Sequence, residues 1–124
     1  MVDTPEQGDL FWIDGIGTSF VEMGGRRPVV VVQSNRLNDS RIRTTIVCAV
    51  TSNVERGNDI GNVLLEIGEG NLSKRSVVNV SQFYTLDKGR LAEYIGSLSL
   101  ARIRQVVAGI ALTFAIIEPV DAEE

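Results

Sequence analysis

Arg27-Pro28 followed by Val29-Val30-Val31-Val32 constrains this chain more than any other stretch. An unbroken β-branched run bounded by turn residues reads as a strand buried on both faces. Pro28 has no N–H to give to a ladder and biases Arg27 to an extended backbone. Gly24 and Gly25 allow a sharp turn just before it. Two guanidinium groups, Arg26 and Arg27, are therefore held where a buried strand begins. A fixed arginine fork suits a phosphate, although exposed arginines are more often plain solvated charges.

The rest of the chain supplies the partners that such a strand needs. Gly8–Asp14 and Thr44–Thr51 read as strands, the second as buried as the first. Shorter strands are expected at Asn62–Ile67, Ser76–Val80, Gln82–Leu86 and Tyr94–Ser97, with a bend between the second and third of these. Asn35–Arg43 reads as a polar turn. One helix is expected after Ser99, its N-cap, with Ile103, Val106, Val107, Ile110, Ala111 and Phe114 at three- and four-residue spacing. Pro119 ends that pattern. Several short strands plus one terminal helix indicate a small, curved antiparallel sheet or barrel, mainly β. At 124 residues the chain is one domain, here 1–117, with an acidic tail at 118–124.

Composition narrows the chemistry. There are no histidines, so histidine bases, Ser-His-Asp triads and most zinc sites are excluded. No ligand cluster with metal spacing is present, and no cofactor is expected. Cys48, the one cysteine, sits in the apolar run Thr45–Val50 and reads as a small core residue. No run of about 18 apolar residues predicts a membrane helix. The first residues lack a signal-peptide pattern, which leaves the cytoplasm as the expectation.

Net charge is −4, yet the charge is unevenly placed. Residues 26–56 hold six arginines against Asp39 and Glu55, while both termini are acidic. This asymmetry points to an anionic ligand at the basic segment. A groove built from Arg26, Arg27, Arg36, Arg41, Arg43 and Arg56 is the expectation, with acidic residues on the far face.

Four blocks in order resemble the MazF/PemK (Kid) toxins of bacterial toxin–antitoxin systems. They are Gly8-Asp9-Leu10-Phe11-Trp12-Ile13-Asp14, Glu22-Met23-Gly24-Gly25-Arg26-Arg27-Pro28, Val50-Thr51-Ser52, and Ser76–Gln82 with Thr85–Leu91. The resemblance spans roughly residues 8–114. It implies an SH3-like barrel of the CcdB/PemK type, a homodimer, and metal-independent cleavage of single-stranded RNA. It further implies attack by the ribose 2′-hydroxyl, a 2′,3′-cyclic phosphate and 5′-hydroxyl as products, and inhibition by a MazE-like antitoxin with a disordered acidic tail. Arg27 and Thr51 match the family's catalytic arginine and threonine. Glu22 matches an acidic loop position, and either accepts the 2′-hydroxyl proton or pairs with Arg26 or Arg27.

Phe20 and Tyr84 are candidates to stack on unpaired bases, and Gln82 to read a base edge. Ser52 belongs with the same RNA-binding set. The chain departs from the family's pattern at Phe20-Val21, Asn79, Ser81 and Tyr84, where many members carry other polar or charged residues. Those departures keep open a non-catalytic module that binds RNA or sequesters antitoxin. A CcdB-type gyrase poison is disfavoured, because such proteins use a tryptophan near the end of the terminal helix and the one tryptophan here is Trp12.

Overall fold

A computed structural model describes residues 4–14 and 25–116. Six strands form one antiparallel sheet: β1 (Asp9–Asp14), β2 (Arg26–Val31), β3 (Thr44–Thr51), β4 (Val63–Leu65), β5 (Ser76–Asp87) and β6 (Tyr94–Ser97). Their order is β4-β5-β3-β2-β1-β6. Helix α1 (Asn35–Asn38) joins β2 to β3, and helix α2 (Leu100–Thr113) follows β6.

The valine run sits near the middle of this sheet, as its composition requires. Val29, Val30 and Val31 are 0%, 1% and 1% exposed. Alternation sends them to two separate cores. Val30 joins Leu10, Cys48, Val50, Val78 and Val80 on the face that α2 covers with Val106. Val29 and Val31 join Phe11, Ile13, Val47, Leu86 and Leu91 on the opposite face. Each such side chain contributes about 1.5–3 kcal/mol on burial, so β2 and β3 anchor the fold from both sides.

Two features curl the sheet. The β3–β5 register jumps from Cys48↔Phe83 to Ala49↔Asn79, and the β1–β6 register shifts between Leu10 and Phe11. Bulges of this kind bend and twist a strand. The expected bend in the fourth block is therefore present, but within one continuous strand rather than between two. Val80, Ser81 and Gln82 lie in the jump, where the Val80 N–H finds the Asn62 side-chain oxygen at 2.9 Å instead of a ladder partner. The turn Glu69–Asn71 spans the gap between the sheet's two edges, with Asn71 Nδ2 donating to the Ile95 carbonyl at 2.9 Å. Gly96 must be glycine there, because a Cβ would run into the Gly70 carbonyl.

The helix begins where expected. Ser99 Oγ accepts from the Arg102 N–H at 3.2 Å, satisfying one orphan donor of the first turn. Its buried stripe is narrower than the spacing implied. Ile103, Val106 and Ile110 pack on the sheet, while Val107 and Phe114 are 42% and 63% exposed. Gly109 is buried in place of a larger residue, since its backbone touches Gly61.

The polar segment after β2 is an organised turn rather than a loose one. Asn38 is 1% exposed; its side chain donates to the Gln33 carbonyl and accepts from Thr45 Oγ1 and Gln33 Nε2. Its own carbonyl accepts from Lys88 Nζ at 2.8 Å. A fully bonded amide is the form in which a buried polar group is tolerated.

Candidate active site

Register brings the two residues most marked by the sequence to one place. Arg27 faces Ile13 on β1, and Thr51 faces Val77 on β5. Between them the β2–β3 ladder runs Val29↔Ala49, Val30↔Cys48, Val31↔Val47. Arg27 and Thr51 each lie two residues beyond Val29↔Ala49, the last pair of this ladder, at the same end of neighbouring strands. Alternation puts both on the face of Val29 and Val31, opposite the face that α2 covers.

Their local chemistry is complementary. Arg27 has no ion-pair partner among the described residues, whereas Arg26 pairs with Glu93 at 3.2 Å and Asp14 at 3.7 Å. Thr51 Oγ1 accepts from the Asn53 N–H at 3.1 Å, which fixes the rotamer and leaves the hydroxyl proton to be donated elsewhere. A free guanidinium fork beside a donating hydroxyl is a binding site for a phosphoryl group in which negative charge builds up.

Asn79 lies one row further along the same face, opposite Ala49. Its Nδ2 donates to Gln82 Oε1 at 3.1 Å, and Ser81 Oγ donates to its Oδ1 at 3.1 Å. The bulge thus folds Gln82 back towards Arg27 and Thr51. Tyr84 shares this face but stands opposite Val47, packed half-buried against the second core. That burial raises the pKa of its phenol, so it remains protonated. Arg56 is at the Thr51 end, on the turn Val54–Asn58, where Gly57 rests on Val77 and Leu64. It pairs with Asp59 at 3.4 Å.

The single basic groove is not what the structure builds. Arg36, Arg41 and Arg43 are exposed on α1 and the segment leading into β3, at the opposite end of the sheet. Arg43 is eight residues from Thr51 along a strand, about 26 Å away. Clustering in sequence did not translate into clustering in space, because β2 and β3 each cross the sheet between the arginines. Glu22 and Phe20 lie outside the described residues. Cys48 is a core residue: burial pushes its thiol up to about 12, far from thiolate chemistry at neutral pH. Among the described residues, no group of three His, Cys, Asp or Glu side chains is placed to hold a metal ion, and no helix is long and apolar enough to cross a membrane.

A cleft of about 410 Å³ opens at the same end of the sheet, behind Arg27. Its lining includes Trp12, Arg26, Ser52, Lys74, Glu93 and Tyr94. Arg26 and Ser52, grouped by sequence with Arg27 and Thr51, belong to this second concavity. Trp12, Lys74 and Glu93 were not singled out from sequence. The only local signal for them was the basic pair Lys74-Arg75 beside a glycine-bearing turn.

Comparison with known proteins identifies the family and the fold. The family model described as PemK-like, MazF-like toxin of type II toxin-antitoxin system matches residues 6–114. The protein named Endoribonuclease MazF6 from Mycobacterium tuberculosis (strain ATCC 25618 / H37Rv) is 34% identical over 104 residues, covering 84% of this chain and 91% of that one. Endoribonuclease MazF from Staphylococcus saprophyticus is 32% identical over 110 residues, covering 89% and 91%. A solved endoribonuclease in complex with its cognate antitoxin, from a mycobacterial species, superposes with a TM-score of 0.74 over 93% of this chain and 99% of that one, at 20% identity. That last likeness supports the curled-sheet fold.

Proposed function

Because this chain belongs to the family of PemK-like, MazF-like toxins of type II toxin–antitoxin systems, we propose that it is the toxin of such a pair, an endoribonuclease that cuts single-stranded RNA. The carrying observation is that Arg27, with no ion-pair partner among the described residues, and a donor-poised Thr51 stand at the same end of neighbouring strands on one sheet face. The ribose 2′-hydroxyl attacks the adjacent phosphorus in line. The 2′-oxygen forms a bond to phosphorus and the bond to the 5′-oxygen breaks. The products are a 2′,3′-cyclic phosphate and a 5′-hydroxyl, and no metal is required.

Each residue has a role that its chemistry allows. Arg27 stabilises charge on the non-bridging oxygens with its guanidinium fork. Thr51 donates its hydroxyl proton to one of those oxygens. Glu22 takes the 2′-hydroxyl proton, and the departing 5′-oxygen takes a proton from solvent water to become the 5′-hydroxyl. Gln82, held by Asn79, reads a base edge next to the reacting phosphate. The chain acts as a homodimer, whose joined faces offer an RNA path longer than one small sheet provides. An acidic, disordered antitoxin tail occupies the same face and blocks it.

The test is direct. Purified protein is incubated with a long unstructured RNA in EDTA, and the new ends are mapped. Cleavage with cyclic-phosphate and 5′-hydroxyl ends is expected. Abolition by EDTA with rescue by magnesium would overturn the mechanism, and RNA binding without any cut would favour the non-catalytic module.

A further inference from the structure

The cleft behind Arg27 is distinct from the face that carries Thr51. Pro28, Val50, Ser76 and Leu72 line it, which places it on the α2 side of the sheet. Arg26 and Arg27 are consecutive on a strand, so their side chains leave it in opposite directions. Arg27 is also at the cleft's rim. A polynucleotide whose phosphate sits at Arg27 therefore has a second concavity within immediate reach.

The lining of that concavity has the composition of a nucleotide site. The Arg26 guanidinium lies over the Trp12 ring at 5.1 Å from its centroid. It is held there by ion pairs with Glu93 at 3.2 Å and Asp14 at 3.7 Å. A flat, anchored arginine–tryptophan pair is a stacking platform for a base. Lys74 is exposed and has no ion-pair partner among the described residues. It supplies a free cation for a phosphate.

The hydrogen-bonding groups around the platform include two acceptors beside the hydroxyls of Ser52 and Ser73. Glu93 spends only Oε1 on Arg26, and Asn71 spends its Nδ2 on the Ile95 carbonyl. Among the described residues, Glu93 Oε2 and Asn71 Oδ1 remain as acceptors. Acceptors suit a base that presents an amino group, as guanine does with N1–H and N2–H₂ side by side.

We propose that this cleft is a second nucleotide-binding subsite, which takes one unpaired, amino-bearing nucleotide of the RNA strand flanking the cleaved bond. The proposal rests on the endoribonuclease reading for its place on the RNA path. It extends recognition to a concavity that adjoins the reacting phosphate at Arg27, and it acts on binding and specificity.

Trp12 is the one tryptophan in the chain, and so its fluorescence reports this cleft alone. The experiment titrates GMP, UMP, inorganic phosphate and a short glutamate peptide into the full chain. GMP is expected to quench Trp12 by stacking and to bind more tightly than UMP, while phosphate and peptide leave the emission nearly unchanged. Lys74→Ala should weaken GMP about fivefold, the scale of one exposed charge contact. With an RNA substrate that extends several nucleotides on both sides of the cut, the same variant should raise KM about fivefold and change kcat by less than about twofold, the signature of binding lost equally in ground and transition states.

Quenching by phosphate or peptide as strong as by GMP would reduce the cleft to a patch for anions and overturn the proposal. Equal affinity for UMP would overturn the role given to Glu93 and Asn71. If wild-type protein cuts RNA while GMP leaves Trp12 unquenched and Lys74→Ala leaves KM unchanged, the subsite alone is wrong. If GMP quenches but RNA stays intact, the endoribonuclease reading is the one that fails.

Discussion

The backbone N–H of Asn53 donates to Thr51 Oγ1 at 3.1 Å, so the threonine hydroxyl is oriented by the chain two residues beyond it. The loop that leaves β3 thereby sets the direction of the proton that Thr51 has to give. Thr51→Ala and Thr51→Val should each lower RNA cleavage about 100-fold, the scale of losing one preorganised donor. Thr51→Ser should retain most of the rate, because its hydroxyl can take the same bond. Thermal melts should show all three folded, which separates the chemical effect from a structural one.

Arg27→Ala should cost about 100-fold or more in kcat/KM, and Arg27→Lys nearly as much, since an ammonium lacks the planar fork. Arg26→Ala should act differently. Arg26 is committed to Glu93, Asp14 and Trp12, so its loss should weaken RNA binding and leave the chemical step largely intact. Single-turnover rates and binding measured across a salt series tell the two apart. Full activity in Arg27→Ala would remove the central claim.

The Glu69–Arg102 pair ties the closing turn to α2 through two bonds of 2.8 Å each. The Arg102 hydrogen bonds hold the Glu69 carboxyl below its ordinary pKa, against the opposing effect of burial. A depressed folded-state pKa contributes stability that is fully present above the unfolded pKa of about 4.3 and is lost as pH falls through the folded value. Arg102→Ala should therefore destabilise the protein by about 1 kcal/mol near pH 7, after allowance for partial exposure. Urea midpoints for wild type and variant should converge as the pH drops below about 4.

Gly109→Ala tests how closely α2 lies on the sheet. A Cβ at that position would collide with the Gly61 carbonyl and press on Val80. Overpacking of this kind costs about 1–3 kcal/mol. A lowered melting temperature is expected despite alanine's better helix propensity. A raised one would mean that the helix can lift at no cost.

Light scattering checks the assembly. A homodimer is expected at micromolar concentration, and a monomer under those conditions would remove the shared RNA path from the proposed function.

What the sequence determined by itself was local. The valine run of β2 and the apolar Thr44–Thr51 run were legible as buried strands, because β-branched residues at that density leave few alternatives. Ser99 marked the start of α2, since a cap is written within four residues. The blocks around Arg27 and Thr51 marked the ends of two strands. Tertiary structure decided everything that depended on pairing. The one-strand nature of Ser76–Asp87 follows from a register jump whose unpaired donor is met by Asn62, eighteen residues away. Asn38, polar and in a turn-like segment, became a buried hub because Gln33, Thr45 and Lys88 converge on it. Six arginines close together in sequence were divided between two ends of the sheet, because extended strands carry the chain across it at about 3.3 Å per residue. For the same reason Arg26 and Arg27, adjacent in sequence, leave the strand on opposite faces and meet different partners. Alternation determined that they part, and the folding of β1, β6 and the closing turn around Arg26 determined what each one meets.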